Sequence, residues 1–142
     1  MAAVTLAQAN EIIAKALEKA REMKIKPVTV VVLDESGHLK AAQREDAASM
    51  FRIDVATGKA WAAVAMGASS RVLAARAKDN PNFFVTLAST AAGKFLPQTG
   101  AVLIRSASGE LLGAAGASGG TGDEDEAACK YGVEQAGFVA EV

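Results

Sequence analysis

LGAAGASGGTGDEDE, running from Leu112 to Glu126, carries the reading of the fold. A stretch of small apolar residues runs into a glycine-rich bend and from there into an acidic helix start. Glycine lets a backbone adopt positive φ or approach a neighbour closely, at a cost in chain entropy. Gly113, Gly116, Gly119, Gly120 and Gly122 therefore mark either close packing or a ligand lying against main chain. Asp123, Glu124 and Asp125 stand where a helix N-terminus favours negative charge, so helix capping is their first reading.

Working outward, the small-residue strand Leu111–Ala117 follows a second strand, Ala101–Arg105, across a turn that holds Gly109. Upstream, VTVVVL (Val28–Leu33) is a β-branched run, and Asp34-Glu35-Ser36-Gly37 turns it into a partner strand, His38–Arg44. Thr5–Lys24 has apolar residues at helical spacing, a Thr5/Gln8 capping box and Pro27 beyond its end. Ser49–Lys78 is helical but interrupted: Ser49 caps its start, Gly58 and Gly67 break it, and Ser69-Ser70 offers a fresh cap. Asn82–Pro97 reads as short helix or loop, and Asp123–Phe138 as the last helix. Consecutive hairpins among helices predict an α/β (α+β) fold with a central antiparallel sheet rather than a doubly wound parallel one.

A chain of 142 residues is read as one domain, 1–142. Lys plus Arg (15) nearly balances Asp plus Glu (16), which argues against nucleic acid and against an anionic membrane surface as partners. No run approaches the roughly 18 apolar residues of a membrane span. No basic-then-apolar leader opens MAAVTLAQANE, so a cytoplasmic location is expected, a trimmed leader aside. Cys129 is alone and makes no internal disulfide. With one His and one Cys, an N/S metal site is not expected. Low net charge and abundant alanine suit self-association.

Arg44, with Asp46 near it, and Lys59 are the polar-site candidates: a cation in an alanine-rich helix must face water, a carboxylate or an anionic ligand. The expectation is that Arg44 and Lys59 border one cavity beside the bend Gly119, Gly120, Thr121, and clamp a carboxylate there. The bland reading is structural ion pairs or exposed charges. The bend lacks the Gly-Lys-Ser/Thr of a phosphate loop, and its acids oppose a bound phosphate. Asp123 or Asp125 could serve as a general base. His38, the sole histidine, follows a hairpin turn and reads as an exposed turn residue, with iron ligation as the functional alternative. Cys129, next to acids, reads as a packed helix cysteine. Phe83, Phe84, Phe95 and Trp61 read as core or as the walls of a flat ligand.

Four segments in order, VVVLDESGHLKAAQRED (Val30–Asp46), Lys59-Ala60, FLPQTGAVLI (Phe95–Ile104) and LLGAAGASGGTGDEDEAA (Leu111–Ala128), resemble the GlcG/HbpS family, also called DUF336 or haem-degrading, which includes the C-terminal domain of PduO-type proteins. The resemblance covers nearly the whole chain. It implies a profilin-like or PAS-like sandwich with about five strands, a homo-oligomer (dimer or higher), and haem as the cofactor of some members. Two positions depart from the family pattern: Gly100-Ala101 stands for a Gly-Gly pair, and Lys59-Ala60-Trp61-Ala62-Ala63 lacks a threonine. No family iron ligand maps onto the chain; His38, Met50, Met66 and Tyr131 are the side chains available. The resulting expectation is a small-ligand-binding, haem-binding or redox-linked protein. The alternatives are a cofactor-independent lyase or isomerase acting on a small organic acid, and a structural accessory subunit.

Overall fold

The computed structural model describes residues 3–142. The elements, in chain order, are α1 (Leu6–Glu22), β1 (Thr29–Asp34), β2 (Leu39–Arg44), α2 (Phe51–Met66), α3 (Ser70–Asp79), α4 (Pro81–Thr90), β3 (Ala101–Arg105), β4 (Leu111–Ser118), α5 (Gly122–Gln135) and β5 (Val139–Glu141). The sheet is wholly antiparallel in the order β2-β1-β4-β3-β5. The two expected hairpins form, and they join where β1 pairs with β4.

Strand alternation divides the sheet between two helical layers. Val30, Val32, Val102, Ile104, Ala115 and Ala117 face one core with Ile12, Ile13 and Ala16 of α1 and Ala128, Cys129 and Val133 of α5. Val31, Leu33, Ala101, Leu103 and Ala114 face the other with Ala56, Ala60 and Ala63 of α2. Both faces are covered, so β1 reads as an unbroken apolar run instead of alternating. Small residues let the layers close up. A Cβ on Gly116 would lie 2.5 Å from Ala56 O, and one on Gly132 would lie 2.4 Å from Ile12 O. The glycines of β4 and α5 thus mark packing.

The capping box of α1 forms as read, Thr5 and Gln8 each taking the other's backbone amide. The break near Gly67 also forms: Gly67 is left-handed (φ +63) and Ser69 caps α3 through Val72 N. Two expectations fail nearby. Gly58 does not break α2, which runs past it because the chain at Leu96 packs against that bare position. Ser49 does not cap α2; the cap position is Met50 with no side-chain bond, and the Ser49 hydroxyl accepts from Arg52 Nε at 3.3 Å. Asn82–Pro97 resolves into α4 and a loop. β5, absent from the residue-by-residue reading, forms after Gly137 and pairs with β3, where Arg105 Nε meets Glu141 Oε1 at 2.5 Å.

Candidate functional site

The hairpin tip between β1 and β2 is built by Asp34. Its Oδ1 accepts from Ser36 N (2.9 Å) and His38 N (3.0 Å), while Gly37 takes the positive φ (+83) that closes the turn. This holds His38 at the mouth of a cleft of about 560 Å³ lined by Gly37, Leu39, Asp54, Thr57, Trp61 and Lys94, among others. The imidazole is 80% exposed, with Nδ1 3.8 Å from Asp34 Oδ1. With Nδ1 turned toward the carboxylate, Nε2 is the nitrogen left for an outside partner. Trp61, on α2, packs against bare Gly37 and gives the cleft a flat apolar wall. Leu39 is 59% exposed beside it, and Lys94 supplies a cation from the loop after α4.

Trp61 also lines a smaller hollow of about 240 Å³ with Met66, Leu87, Ala91 and Phe95. Phe84 and Phe95 are buried, 6.0 Å apart, in a third core cluster with Ala62 and Leu73, so they are core as first read. Phe83 stands half exposed, edge-on to Phe84.

Lys59 has a different place from the one the sequence suggested. Its side chain is 7% exposed, and its Nζ donates to Asp125 Oδ2 and to Ala117 O, both at 3.1 Å. Asp125, 1% exposed, also accepts from Gly120 N at 3.0 Å. The ammonium reaches past the start of β3 because Gly100 leaves room: a Cβ there would lie 2.5 Å from Nζ. The pair joins α2 on one face of the sheet to α5 on the other. Beneath it, the Cys129 thiol lies 3.9 Å from Gly100 O, and burial together with Asp125 pushes its pKa well above the usual thiol range.

Arg44 does not share a cavity with Lys59. It donates to Ala48 O at 2.6 Å and lines a separate cleft of about 420 Å³ with Leu17, Arg21, Glu45 and Asp46. The bend Gly119-Gly120-Thr121 is packed on one side: a Cβ on Gly119 would lie 2.2 Å from Pro27 O. Capping of α5 belongs to Thr121, in a reciprocal box with Glu124. Asp123 is exposed and paired with Arg71, whose guanidinium also takes Glu126 at 3.0 Å; these two acids push its pKa further up. Among the other side chains weighed for iron, Met50 is 79% exposed before α2, and Tyr131 lies under Lys19 Nζ, 5.2 Å from the ring centroid.

Sequence reasoning missed Lys94 and Arg52, which are ordinary charges until the fold places them in clefts. Asp34 was legible, since Asp two residues before Ser36 is an Asx-turn pattern. Among the described residues no group of three or more His, Cys, Asp or Glu is arranged to hold a metal ion, and no helix is long and apolar enough to cross a membrane.

A buried antiparallel sheet in this strand order, helices on both faces and an open cleft at a hairpin tip define a three-layer α+β protein. The chain belongs to the HbpS-like family: the family model described as haem degrading protein HbpS-like matches residues 4–134. Solved structures with the same fold include a PduOC:haem complex (24% identity, TM-score 0.86, 99% of each chain covered). A doubly substituted Streptomyces reticuli HbpS is 26% identical, with TM-score 0.81 over 95% of this chain and 88% of that one. Klebsiella pneumoniae protein ORFY is 24% identical, with TM-score 0.86 over 96% of this chain and 92% of that one. None of the curated proteins gives a significant match.

Proposed function

We propose that this protein binds haem in the cleft at the β1–β2 turn, with His38 as the iron ligand. The observation that carries the reading is the placement of the sole histidine: it stands at the mouth of the 560 Å³ cleft, with a tryptophan wall and a lysine in the same lining. Haem is a flat apolar ring with an iron that takes imidazole and a carboxylate edge that takes cations. The residues fit each part: His38 Nε2 for the metal, Trp61 and Leu39 for the ring, Lys94 for a propionate. The volume is within the usual range of small-molecule sites, about 300–1,000 Å³. Bound haem would supply one-electron iron chemistry. The chain's own share is to ligate, to stack and to neutralise. The Asp34 carboxylate, 3.8 Å from Nδ1, orients the ring so that Nε2 is the nitrogen presented to the iron.

Membership of the HbpS-like family and the haem complex of PduOC support the ligand class. The acids offered by the sequence for proton transfer do not line this cleft: Asp125 is sealed against Lys59, and Asp123 is paired with Arg71. Exposed Phe83, Val85 and Met66 support self-association.

Hemin titration of the purified protein tests the proposal. A saturable Soret shift is expected, lost in His38→Ala. That side chain is too exposed for its removal to threaten folding. An unchanged Soret titration in His38→Ala would refute the assignment. Size-exclusion chromatography of the same samples reads the assembly.

A further inference from the structure

At the opposite end of α2 from Trp61, a second cleft of about 380 Å³ is lined by Lys26, Pro27, Ala47, Ala48, Ser49, Arg52 and Gly119. Its charged lining residues are both cations, in a chain whose net charge is −1. Arg52 is half buried and has no carboxylate of the described residues within ion-pair distance. It is nevertheless held in place: Nε donates to Ser49 Oγ at 3.3 Å, and Nη1 to Ser118 Oγ at 3.1 Å. Ser118 is buried, and so is its register partner Thr29, whose Oγ1 has no hydrogen-bond partner. Two hydroxyls thus fix a guanidinium whose remaining donors are unspent.

Three further features converge there. Arg52, in the first turn of α2, lines the cleft, and that helix start has no side-chain cap. Asp54, the acid of that turn, lines the His38 cleft instead. Ala47 is held at φ +71, uncommon for a residue with a Cβ. Lys26 and Gly119 continue into a neighbouring cleft that adds Lys24, Gly120 and Glu124, the last with Oε1 taken by the Thr121 amide at 2.9 Å. A planar fork with spare donors, a second cation and an uncapped helix start are the elements that recognise an oxyanion.

We infer that this cleft is a binding site for a small oxyanion, a carboxylate or a phosphate, with Arg52 as its anchor and Lys26 and the first turn of α2 as its other contacts. The site is separate from the His38 cleft and does not depend on haem binding. Its use of Gly119 gives the glycine bend a ligand-facing side, with Arg52 in the place the sequence gave to Arg44 and Lys59.

Titration of the full-length ¹⁵N-labelled protein with inorganic phosphate, and separately with malonate, tests the site. Saturable shifts of the Ala48, Ser49, Arg52 and Gly119 amides are expected, with Trp61 and His38 unmoved. Added sodium chloride weakens them. Arg52→Gln lowers affinity at least about tenfold, as loss of a charge-assisted fork does. Lys26→Gln, at an exposed position that does not endanger folding, lowers it severalfold. Response to phosphate alone, to malonate alone or to both supports the site and names the source. Absence of saturable shifts with either probe overturns it. So does binding in Lys26→Gln and Arg52→Gln that matches the unsubstituted protein; if Arg52→Gln does not fold, unchanged binding in Lys26→Gln decides.

Discussion

Replacement of Lys59 by methionine keeps the length of the side chain and removes its charge. Asp125 then remains 1% exposed with the Gly120 amide as its sole hydrogen-bond donor, and Ala117 O loses its contact with Nζ. Removing one partner of a buried pair costs about 3–5 kcal/mol, because the other charge stays desolvated. For a domain of this size total stability is about 5–15 kcal/mol, so the loss is a large fraction. In melting temperature it amounts to about 10–20 °C. Asp125→Leu strands the ammonium instead and has a similar effect. Lys59→Met with Asp125→Leu together removes both charges and costs far less than the sum, with a coupling of about 2–3 kcal/mol. Urea denaturation followed by circular dichroism measures all four corners of the cycle. The reasoning fails if Lys59→Met stays within about 1 kcal/mol of the parent, or if the single effects add in the double variant. Either result would mean that water reaches the pair.

Gly100→Ala should reproduce part of that loss, since the new methyl lies 2.5 Å from Nζ at a positive φ of +139. In the Lys59→Met background the same change should cost less, which urea midpoints will show. Cys129 should resist dithionitrobenzoate at pH 8 in the native protein and react once urea unfolds it. Burial raises this thiol's pKa in the fold, so its contribution is fully present below the unfolded value of about 8.5 and is lost as pH rises toward the native one. Between pH 8.5 and 10 ionisation of the unfolded chain rises toward its limiting contribution of about 1.4 kcal/mol per pH unit, so Cys129→Ala should lose less stability over that interval than the parent.

Local physics made much of the fold legible. The capping box at Thr5, the β-branched run in β1 and the glycine-bearing turns each encode structure within a few residues, and each forms where it was read. β5 is three residues long and exists because β3 offers it an edge, so no periodicity announces it. Gly58 looked like a helix breaker because its propensity is local, whereas its use, contact with Leu96, is tertiary. The site was less legible. Lys59 was rightly singled out as a cation needing a partner, but that partner is 66 residues away, and the bond converts an apparent ligand clamp into a brace. Arg52 carried no signal beyond being a charge on a helix; its freedom from carboxylates is a property of the assembled surface.

The two proposed clefts share one element, and that connection can be tested. Helix α2 contributes Arg52 to one and Thr57 and Trp61 to the other, while Lys59 fastens it between them. What sets its height above the sheet is the contact of Ala56 and Ala60 with bare Gly116. Gly116→Ala places a methyl 2.5 Å from the Ala56 carbonyl and 3.1 Å from the Ala60 Cβ, and a backbone atom within a helix has no rotamer in which to retreat. The helix must therefore lift, at about 1–3 kcal/mol of overpacking. A lifted α2 displaces both ends together, so hemin affinity and phosphate or malonate affinity should fall in the same variant. His38→Ala and Arg52→Gln should each lower one alone. Gly116→Ala that leaves both affinities intact, with the melting temperature lowered, would show that each cleft holds its shape independently of the seating of α2.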